Sequence, residues 1–132
     1  MNPIIPSQLS NQYCYFFDDA EFRETDRPGF RRRIITGDGL QLCFWRITGG
    51  AGGSVLHHHT AHEQLGIIVR GQLDFRIGDP DDPTRIVLSA GEIYLAPTGV
   101  WHGDSIFVGD DELNEVWILD VFNPIREDLV HG

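Results

Sequence analysis

Three histidines stand at spacings that suit a metal site. His57 and His59 are separated by one residue, and His102 follows further along the chain. Residues i and i+2 of a β-strand point to the same face, so His57 and His59 can point together into one interior. Imidazole nitrogen binds Fe, Mn, Ni, Cu and Zn ions. The spacing therefore predicts a site for one divalent metal ion, with Ni, Zn, Mn and Fe all open as its identity.

The segment around His57 and His59 resembles the first of two motifs of the cupin superfamily. That motif has the form G-x5-H-x-H-x(3,4)-E-x6-G, and the chain matches it at His57, His59 and Gly71. Ala51 stands where the motif has its first glycine, and Gln64 stands in the position of its glutamate.

A second segment resembles the other cupin motif, G-x5-P-x-G-x2-H-x3-N. The chain matches it from Gly91 through Pro97 and Gly99 to His102, and Ile106 replaces the final asparagine. The resemblance implies a small antiparallel β-barrel that holds one divalent metal ion on four residues: His57, His59, Gln64 and His102.

The fourth ligand requires a choice between two neighbouring side chains. Glu63 is chemically the stronger ligand, because a carboxylate neutralises a divalent ion and an amide does not. The register favours Gln64, since six residues then separate it from Gly71 as in the motif, whereas Glu63 would point to the opposite face. We therefore expect Gln64 as the ligand. A neutral ligand set would leave the ion at full charge and make it a stronger Lewis acid toward a substrate oxygen.

The end of the chain resembles a narrower group of cupins. Residues 120–128 are similar to the C-terminal segment of the uronate-linearising cupins, which are pectin-degradation proteins of the KdgF type, and residues 62–64 add to the resemblance. Those enzymes open the ring of 4,5-unsaturated uronates released by pectin or alginate lyases and give a linear keto acid. The resemblance implies three residues around the metal: Asp120, Phe122 and Arg126.

These three side chains suit the implied chemistry. Arg126 can bind a substrate carboxylate bidentately, and Phe122 offers an apolar wall against a sugar face. Asp120 can move a proton, because ring opening and tautomerisation need acid–base help and no redox step. The alternative is an Asp120–Arg126 ion pair that only ties down the last strand.

Short strands separated by turn residues must position these groups. Leu73, Phe75 and Ile77 alternate with Asp74 and Arg76, which is the period of a strand with one solvated face. We expect strands at residues 31–35, 40–47, 65–70, 73–77, 85–88, 93–96, 104–108 and 115–122. This pattern predicts an all-β sandwich or barrel. With the resemblance, we expect a single-domain cupin, a jelly-roll-like double-stranded β-helix. Its barrel core would span about 31–122, with an N-terminal arm at 1–30 and a C-terminal tail at 123–132.

The charge of the chain limits its partners. Ten basic residues against 20 acidic ones give a formal net charge of -10, which argues against nucleic acid and against an anionic membrane surface. A small anionic substrate would need a local cation or metal to hold it. No apolar run approaches the roughly 18–20 residues that cross a bilayer, and the first residues do not resemble a signal peptide, so we expect a cytoplasmic protein. The cupin resemblance also implies a homodimer.

Three functions remain open at this stage. The first is a metal-dependent enzyme that acts on a small anionic, sugar-derived substrate, by ring opening of 4,5-unsaturated uronates. The second is an iron-dependent dioxygenase, since three histidines with open positions also bind O₂. The third is a non-enzymatic cupin that binds a small molecule such as a sugar. Fold analogy does not separate them, because function depends on the site.

Overall fold

Nine antiparallel strands form the two sheets of the structure, a computed structural model that describes residues 13–130. Residues 1–12 of the expected N-terminal arm and 131–132 of the expected tail lie outside the described residues. The strands are β1 (Arg23–Glu24), β2 (Phe30–Thr36), β3 (Gln41–Thr48), β4 (Glu63–Arg70), β5 (Gln72–Gly78), β6 (Ile86–Ser89), β7 (Ile93–Ala96), β8 (Trp101–Val108) and β9 (Glu115–Asn123). Two short 3₁₀ turns, Asp19–Glu21 and Glu127–Leu129, are the helical elements of the described part. None of these has the length and apolar character needed to cross a membrane.

One sheet has six strands in the order β1-β2-β3-β9-β4-β7, and the other has three in the order β6-β5-β8. Strand β9 lies at the centre of the larger sheet, between β3 and β4. Every second residue of β9 is buried: Val116, Ile118, Asp120 and Phe122. Because alternate residues of a strand point to the same face, Asp120 points into the same interior as the apolar side chains of β9.

The core lies between the two sheets. Ile68 and Val116 from the larger sheet are fully buried in one cluster with Leu73, Phe75 and Phe107 from the smaller one. Complete burial of a side chain such as Ile68 contributes about 1.5–3 kcal/mol to the free energy of folding. Buried polar side chains lie at the other end of the same interior, beside a smaller apolar cluster of Cys43, Phe122 and Leu129, and they form the site described below.

All eight predicted strands are present, so the predicted all-β fold is confirmed. Two of them begin at least two residues earlier than predicted: β4 begins at Glu63 and β8 at Trp101. These extensions carry Gln64 and His102, whose polar side chains face inward and interrupt the apolar alternation on which the prediction relied. Strand β1 was not predicted, because two exposed residues show no alternation.

Arginine–carboxylate pairs cover the outer face of the larger sheet. Glu115 accepts hydrogen bonds from Arg46 at 2.8 and 3.1 Å, from Trp117 at 3.0 Å and from Arg31 at 3.3 Å. Asp19 also pairs with Arg31 and Arg46, and so joins the first 3₁₀ turn to this face.

Candidate metal centre

The three predicted histidines lie together in the structure. One ring nitrogen from each of His57, His59 and His102 falls within a group whose atoms are all within 4.8 Å of one another. His102 belongs to β8, and His57 forms a β-bridge with it through two backbone hydrogen bonds of 2.8 and 2.9 Å. His59 is two residues further along the same connection, and its carbonyl accepts from the Gly99 amide at 2.7 Å.

Backbone carbonyls fix the tautomers of two of these rings. Nδ1 of His57 lies 2.8 Å from the Val55 carbonyl oxygen, and Nδ1 of His102 lies 3.0 Å from that of Val100. A carbonyl only accepts, so each Nδ1 carries the proton and each Nε2 keeps a free lone pair. A second hydrogen bond of this kind is the usual support of a metal-binding imidazole.

The surroundings keep the rings of His59 and His102 neutral. Burial, followed by the charges of His62 and His102, lowers the pKa of His59 to about 4. Burial also lowers the pKa of His102 to about 4, with a smaller contribution from the charge of His57, although the Val100 carbonyl opposes the shift. Both rings are therefore uncharged at neutral pH, which is the form that binds a metal ion.

Gln64, and not Glu63, lies beside the histidines. Gln64 is buried with 6% of its surface exposed, whereas Glu63 is exposed on the opposite face of β4. The Oε1 atom of Gln64 lies 3.0 Å from Nε2 of His59 and 3.2 Å from Nε2 of His102. The register argument made from the sequence is consistent with this arrangement.

The donor set fits a divalent first-row metal ion. In neutral His102 the Nε2 atom has a lone pair and no proton, and the amide oxygen of Gln64 is also an acceptor. Two acceptors 3.2 Å apart repel each other unless a cation lies near both. Three imidazole nitrogens and one amide oxygen are ligands that Fe, Mn, Ni and Zn accept.

A tyrosine that the sequence analysis did not identify connects this ligand set to Asp120. Nε2 of Gln64 donates to the hydroxyl of Tyr94 at 2.7 Å, and that hydroxyl donates to Oδ1 of Asp120 at 2.9 Å. Tyr94 lies on β7 directly opposite Gly66 of β4. Its residue type and its place in an apolar strand gave no sign of this role, which depends on the pairing of two distant strands.

Asp120 is a buried carboxyl group with 7% of its surface exposed. Burial raises its pKa to about 6, although hydrogen bonds from Tyr94, Gln64 and Trp45 oppose the shift. A carboxyl group with this pKa can accept and return a proton close to neutral pH, as a general acid–base group must.

Phe122 and Arg126 border the same site. The ring of Phe122 meets His59 edge-on at 6.1 Å and His62 at 5.4 Å between centroids. The guanidinium of Arg126 lies 5.0 Å from the Phe122 ring centroid and donates to Asp128 at 2.7 and 3.2 Å. The carboxylate paired with Arg126 is therefore that of Asp128, so the alternative of an Asp120–Arg126 ion pair is wrong.

These groups share one cavity of about 370 Å³ inside the barrel. Its wall includes His57, Gln64, His102, Asp120, Phe122 and Arg126. Arg32, which the sequence analysis did not single out, also lines it. Arg32 lies over the ring of Trp45 at 5.3 Å, and no acidic group of residues 13–130 pairs with it. The cavity therefore brings the candidate ligands together with both arginines and carboxyl groups.

Comparisons with known proteins agree with this arrangement. A family model described as "Cupin domain" matches residues 43–119 of the chain, which is more than half of its length. Among curated proteins, none shows significant similarity to this sequence.

Solved structures with the same fold include several cupins. The structure of KdgF from Halomonas sp. superposes with a TM-score of 0.71 at 24% identity, covering 88% of this chain and 100% of that one. An RmlC-like cupin from Shewanella frigidimarina gives a TM-score of 0.69 at 25% identity, covering 88% and 96%. Oxalate decarboxylase from Bacillus subtilis, which has Mn(II) centres, gives 0.64 at 20% identity, covering 85% of this chain and 30% of that chain.

Proposed function

Since the chain belongs to the cupin family, we propose that it is a metal-dependent enzyme acting on a small anionic, sugar-derived substrate. One divalent ion would be held by His57, His59, Gln64 and His102. One observation carries the proposal. His57, Gln64 and His102 line the same cavity as Asp120 and Arg126, and a ring nitrogen of His59 lies within 4.8 Å of those of His57 and His102.

The substrate we propose is a 4,5-unsaturated uronate. The resemblance of residues 120–128 to the uronate-linearising cupins supports this choice, and so does the similarity of the whole chain to KdgF from Halomonas. Opening such a ring is an isomerisation. The C1 hydroxyl loses its proton, the bond from C1 to the ring oxygen breaks, and C4 gains a proton as the enol becomes a ketone at C5. No electrons are gained or lost.

The residues of the cavity have separate roles in this reaction. Asp120 would take up the proton that the substrate releases and return it, since its raised pKa suits both steps. Phe122 would pack against the apolar face of the sugar. Arg126 would bind the substrate carboxylate. Its Nε and Nη2 atoms each already donate one proton to Asp128, so both protons of Nη1 and the second proton of Nη2 are still free to donate. When bound, the ion would polarise a substrate oxygen as a Lewis acid.

A metal-exchange experiment tests the proposal. The protein is stripped with a chelator and reloaded separately with Ni²⁺, Zn²⁺, Mn²⁺ or Fe²⁺. Each sample is incubated with an unsaturated uronate, and both the absorbance of the conjugated double bond and the O₂ concentration are followed. Loss of the absorbance without O₂ consumption supports ring opening. O₂ consumption with Fe²⁺ alone favours a dioxygenase, and no turnover with any ion contradicts the proposal. His102→Ala serves as the control without a complete ligand set.

A further inference from the structure

We propose that Tyr94 is a positioning residue that fixes which way the amide of Gln64 points, and that this role requires glutamine, not glutamate, at position 64. The inference rests on the proposed function in one respect, because it takes Oε1 of Gln64 as a metal ligand. The hydrogen bonds that carry it do not involve the metal.

The first step is the direction of the hydrogen bonds. Ionised Asp120 can only accept, and it takes the single proton of the Tyr94 hydroxyl at 2.9 Å. The oxygen of that hydroxyl can then only accept a further hydrogen bond. Nε2 of Gln64, at 2.7 Å, supplies it. The chain of donors therefore runs in one direction, from Gln64 through Tyr94 to Asp120.

The second step is what this direction does to the ligand. An amide that gives its NH₂ group to Tyr94 must present its oxygen on the other side. That oxygen lies 3.0 Å from Nε2 of His59 and 3.2 Å from Nε2 of His102. Turning the amide over would place NH₂ against the candidate ligands and an oxygen against an oxygen at Tyr94. Tyr94 therefore holds the only orientation in which Gln64 can bind a metal ion.

The third step explains the residue type at position 64. A glutamate there would have no proton to give to Tyr94. Two carboxylates, Asp120 and the new one, would then compete for one hydroxyl proton in a buried site, and one of them would lose its hydrogen bond to Tyr94. With glutamine at position 64, both hydrogen bonds from Gln64 through Tyr94 to Asp120 can form, although glutamate is the stronger metal ligand. The hydrogen bond that Asp120 takes from Tyr94 thus determines the residue type at position 64, which is linked to Asp120 by two successive hydrogen bonds.

The fold provides the space for this arrangement. Tyr94 and Gly66 are direct partners across β4 and β7. A Cβ atom on Gly66 would lie 2.1 Å from the Tyr94 ring, so only glycine leaves room for the ring to reach between Gln64 and Asp120. The ring also packs against Phe75, 5.1 Å away between centroids. Burial and the neighbouring Asp120 raise the pKa of Tyr94 well above its ordinary value, so its hydroxyl keeps its proton.

Tyr94→Phe tests the positioning role, with Tyr15→Phe on the exposed surface as the matched control. In the metal-free protein, NMR of the Gln64 side-chain amide should show one slowly exchanging, hydrogen-bonded proton in the wild type and in Tyr15→Phe. That signature should be lost in Tyr94→Phe. In the Co²⁺-loaded protein, Tyr94→Phe should change the visible spectrum and weaken Co²⁺ binding by about tenfold, the usual effect of losing a group that orients a ligand. An unchanged amide signal, Co²⁺ spectrum and affinity in folded Tyr94→Phe would overturn the inference.

Exchanging the hydrogen-bond donor and acceptor at positions 64 and 120 tests why residue 64 is glutamine. Gln64→Glu should lower the Tm of the metal-free protein at mildly alkaline pH. Adding Asp120→Asn should recover it, because the asparagine NH₂ can donate to Tyr94 while Tyr94 donates to the new carboxylate. Asp120→Leu, in place of Asp120→Asn, removes the same charge without a donor and should recover less. This advantage of asparagine over leucine should disappear when Tyr94 is also changed to phenylalanine. Equal recovery of the Tm by Asp120→Asn and Asp120→Leu would overturn the inference. An advantage of asparagine over leucine that persists when residue 94 is phenylalanine would also overturn it.

The two proposals fail in different experiments. If the wild-type protein binds no Co²⁺, the proposed metal site is wrong, whereas the amide signal and the exchange of donor and acceptor are measured without metal and still test the role of Tyr94.

Discussion

The guanidinium of Arg126 lies over the ring of Phe122, 5.0 Å from its centroid, while two of its nitrogens hold the carboxylate of Asp128. The cation at the edge of the cavity is thus oriented before any substrate arrives. Its partner Asp128 is largely exposed, with 64% of its side chain accessible, so water screens this ion pair and a substrate carboxylate can compete with it.

The ligand assignment predicts opposite results at two neighbouring positions. Gln64→Ala should weaken metal binding, because it removes an oxygen that lies beside two histidines, whereas Glu63→Ala should leave it nearly intact, since that side chain is exposed on the other face. His102→Ala should remove most of the bound metal. Isothermal titration of the stripped variants measures each affinity. A stronger loss in Glu63→Ala than in Gln64→Ala would contradict the assignment.

Asp120→Asn tests the proton-transfer role. The variant keeps the size of the side chain and an acceptor for Tyr94, but it cannot take up a proton. We expect kcat on an unsaturated uronate to fall by roughly 10²–10⁴-fold, the usual contribution of a positioned acid–base group. Metal content, measured by atomic absorption, should not change. Wild-type turnover in the metal-loaded variant would exclude the role.

Arg126→Lys should mainly raise KM. A lysine replaces the planar fork with a point charge, and the loss of one hydrogen bond to a charged group costs about 1.5–3 kcal/mol, or roughly tenfold or more in KM. Asp128→Asn should act in the opposite direction, because it frees the guanidinium for the substrate. Steady-state kinetics of both variants decides this. If Arg126 only anchors the C-terminal turn, both variants should melt earlier and neither should change KM.

Gly66→Ala should destabilise the fold. The added methyl group would lie 2.1 Å from the Tyr94 ring, and overpacking of this kind costs about 1–3 kcal/mol of the free energy of unfolding. Gly52→Ala is the matched control, because a Cβ atom there meets no atom within 4 Å. Urea unfolding of both variants measures the difference. Equal stability of the two would mean that the Tyr94 ring has another position available.

The lowered pKa of Glu115 predicts that the protein loses stability in acid. Burial opposes its ionisation, but hydrogen bonds from Trp117 and Arg46 outweigh burial and lower its pKa below the ordinary 4.5. The folded state then binds fewer protons than the unfolded state, so this contribution is complete above about pH 4.5 and is lost as the pH falls through the lowered pKa. Glu115→Gln should cost about 1–3 kcal/mol at neutral pH and flatten the loss below pH 4.5. The more exposed Glu112→Gln should change neither. Urea unfolding as a function of pH measures both effects.

The strands and the cluster of histidines could be predicted from the sequence, because both depend on residues that are close together in the chain. Leu73 and Phe75 alternate within one strand. His57 and His59 are two residues apart and place their rings together, although they lie in the connection before β4, where His57 forms only a β-bridge. The partnership of Tyr94 with Gly66 and Asp120 could not be predicted in this way, since it joins three strands that are far apart in the chain.

The same limit applies to charge. Arg126 was predicted near the site from a resemblance, but its pairing with Asp128 depends on the turn that follows β9. The inward position of Arg32 follows from the register of β2 against β3, which sets it opposite Trp45. The expected homodimer, cytoplasmic location, small anionic substrate and absence of nucleic-acid and membrane partners stay predictions.

The β-bridge between His57 and His102 has a kinetic consequence. The connection that carries His57 and His59 runs beside β8, where Ser54 accepts from the Ser105 amide at 3.2 Å and the two histidines exchange backbone hydrogen bonds. Local separation of this segment from β8 would move His57 and His59 away from His102 and would release an ion held by all three. The rate of metal release and the rate of amide hydrogen exchange at His57 and His102 would then report the same opening motion. A bound ion that holds the segment against β8 would slow both rates, so the rate of metal release depends on backbone pairing as well as on the ligands.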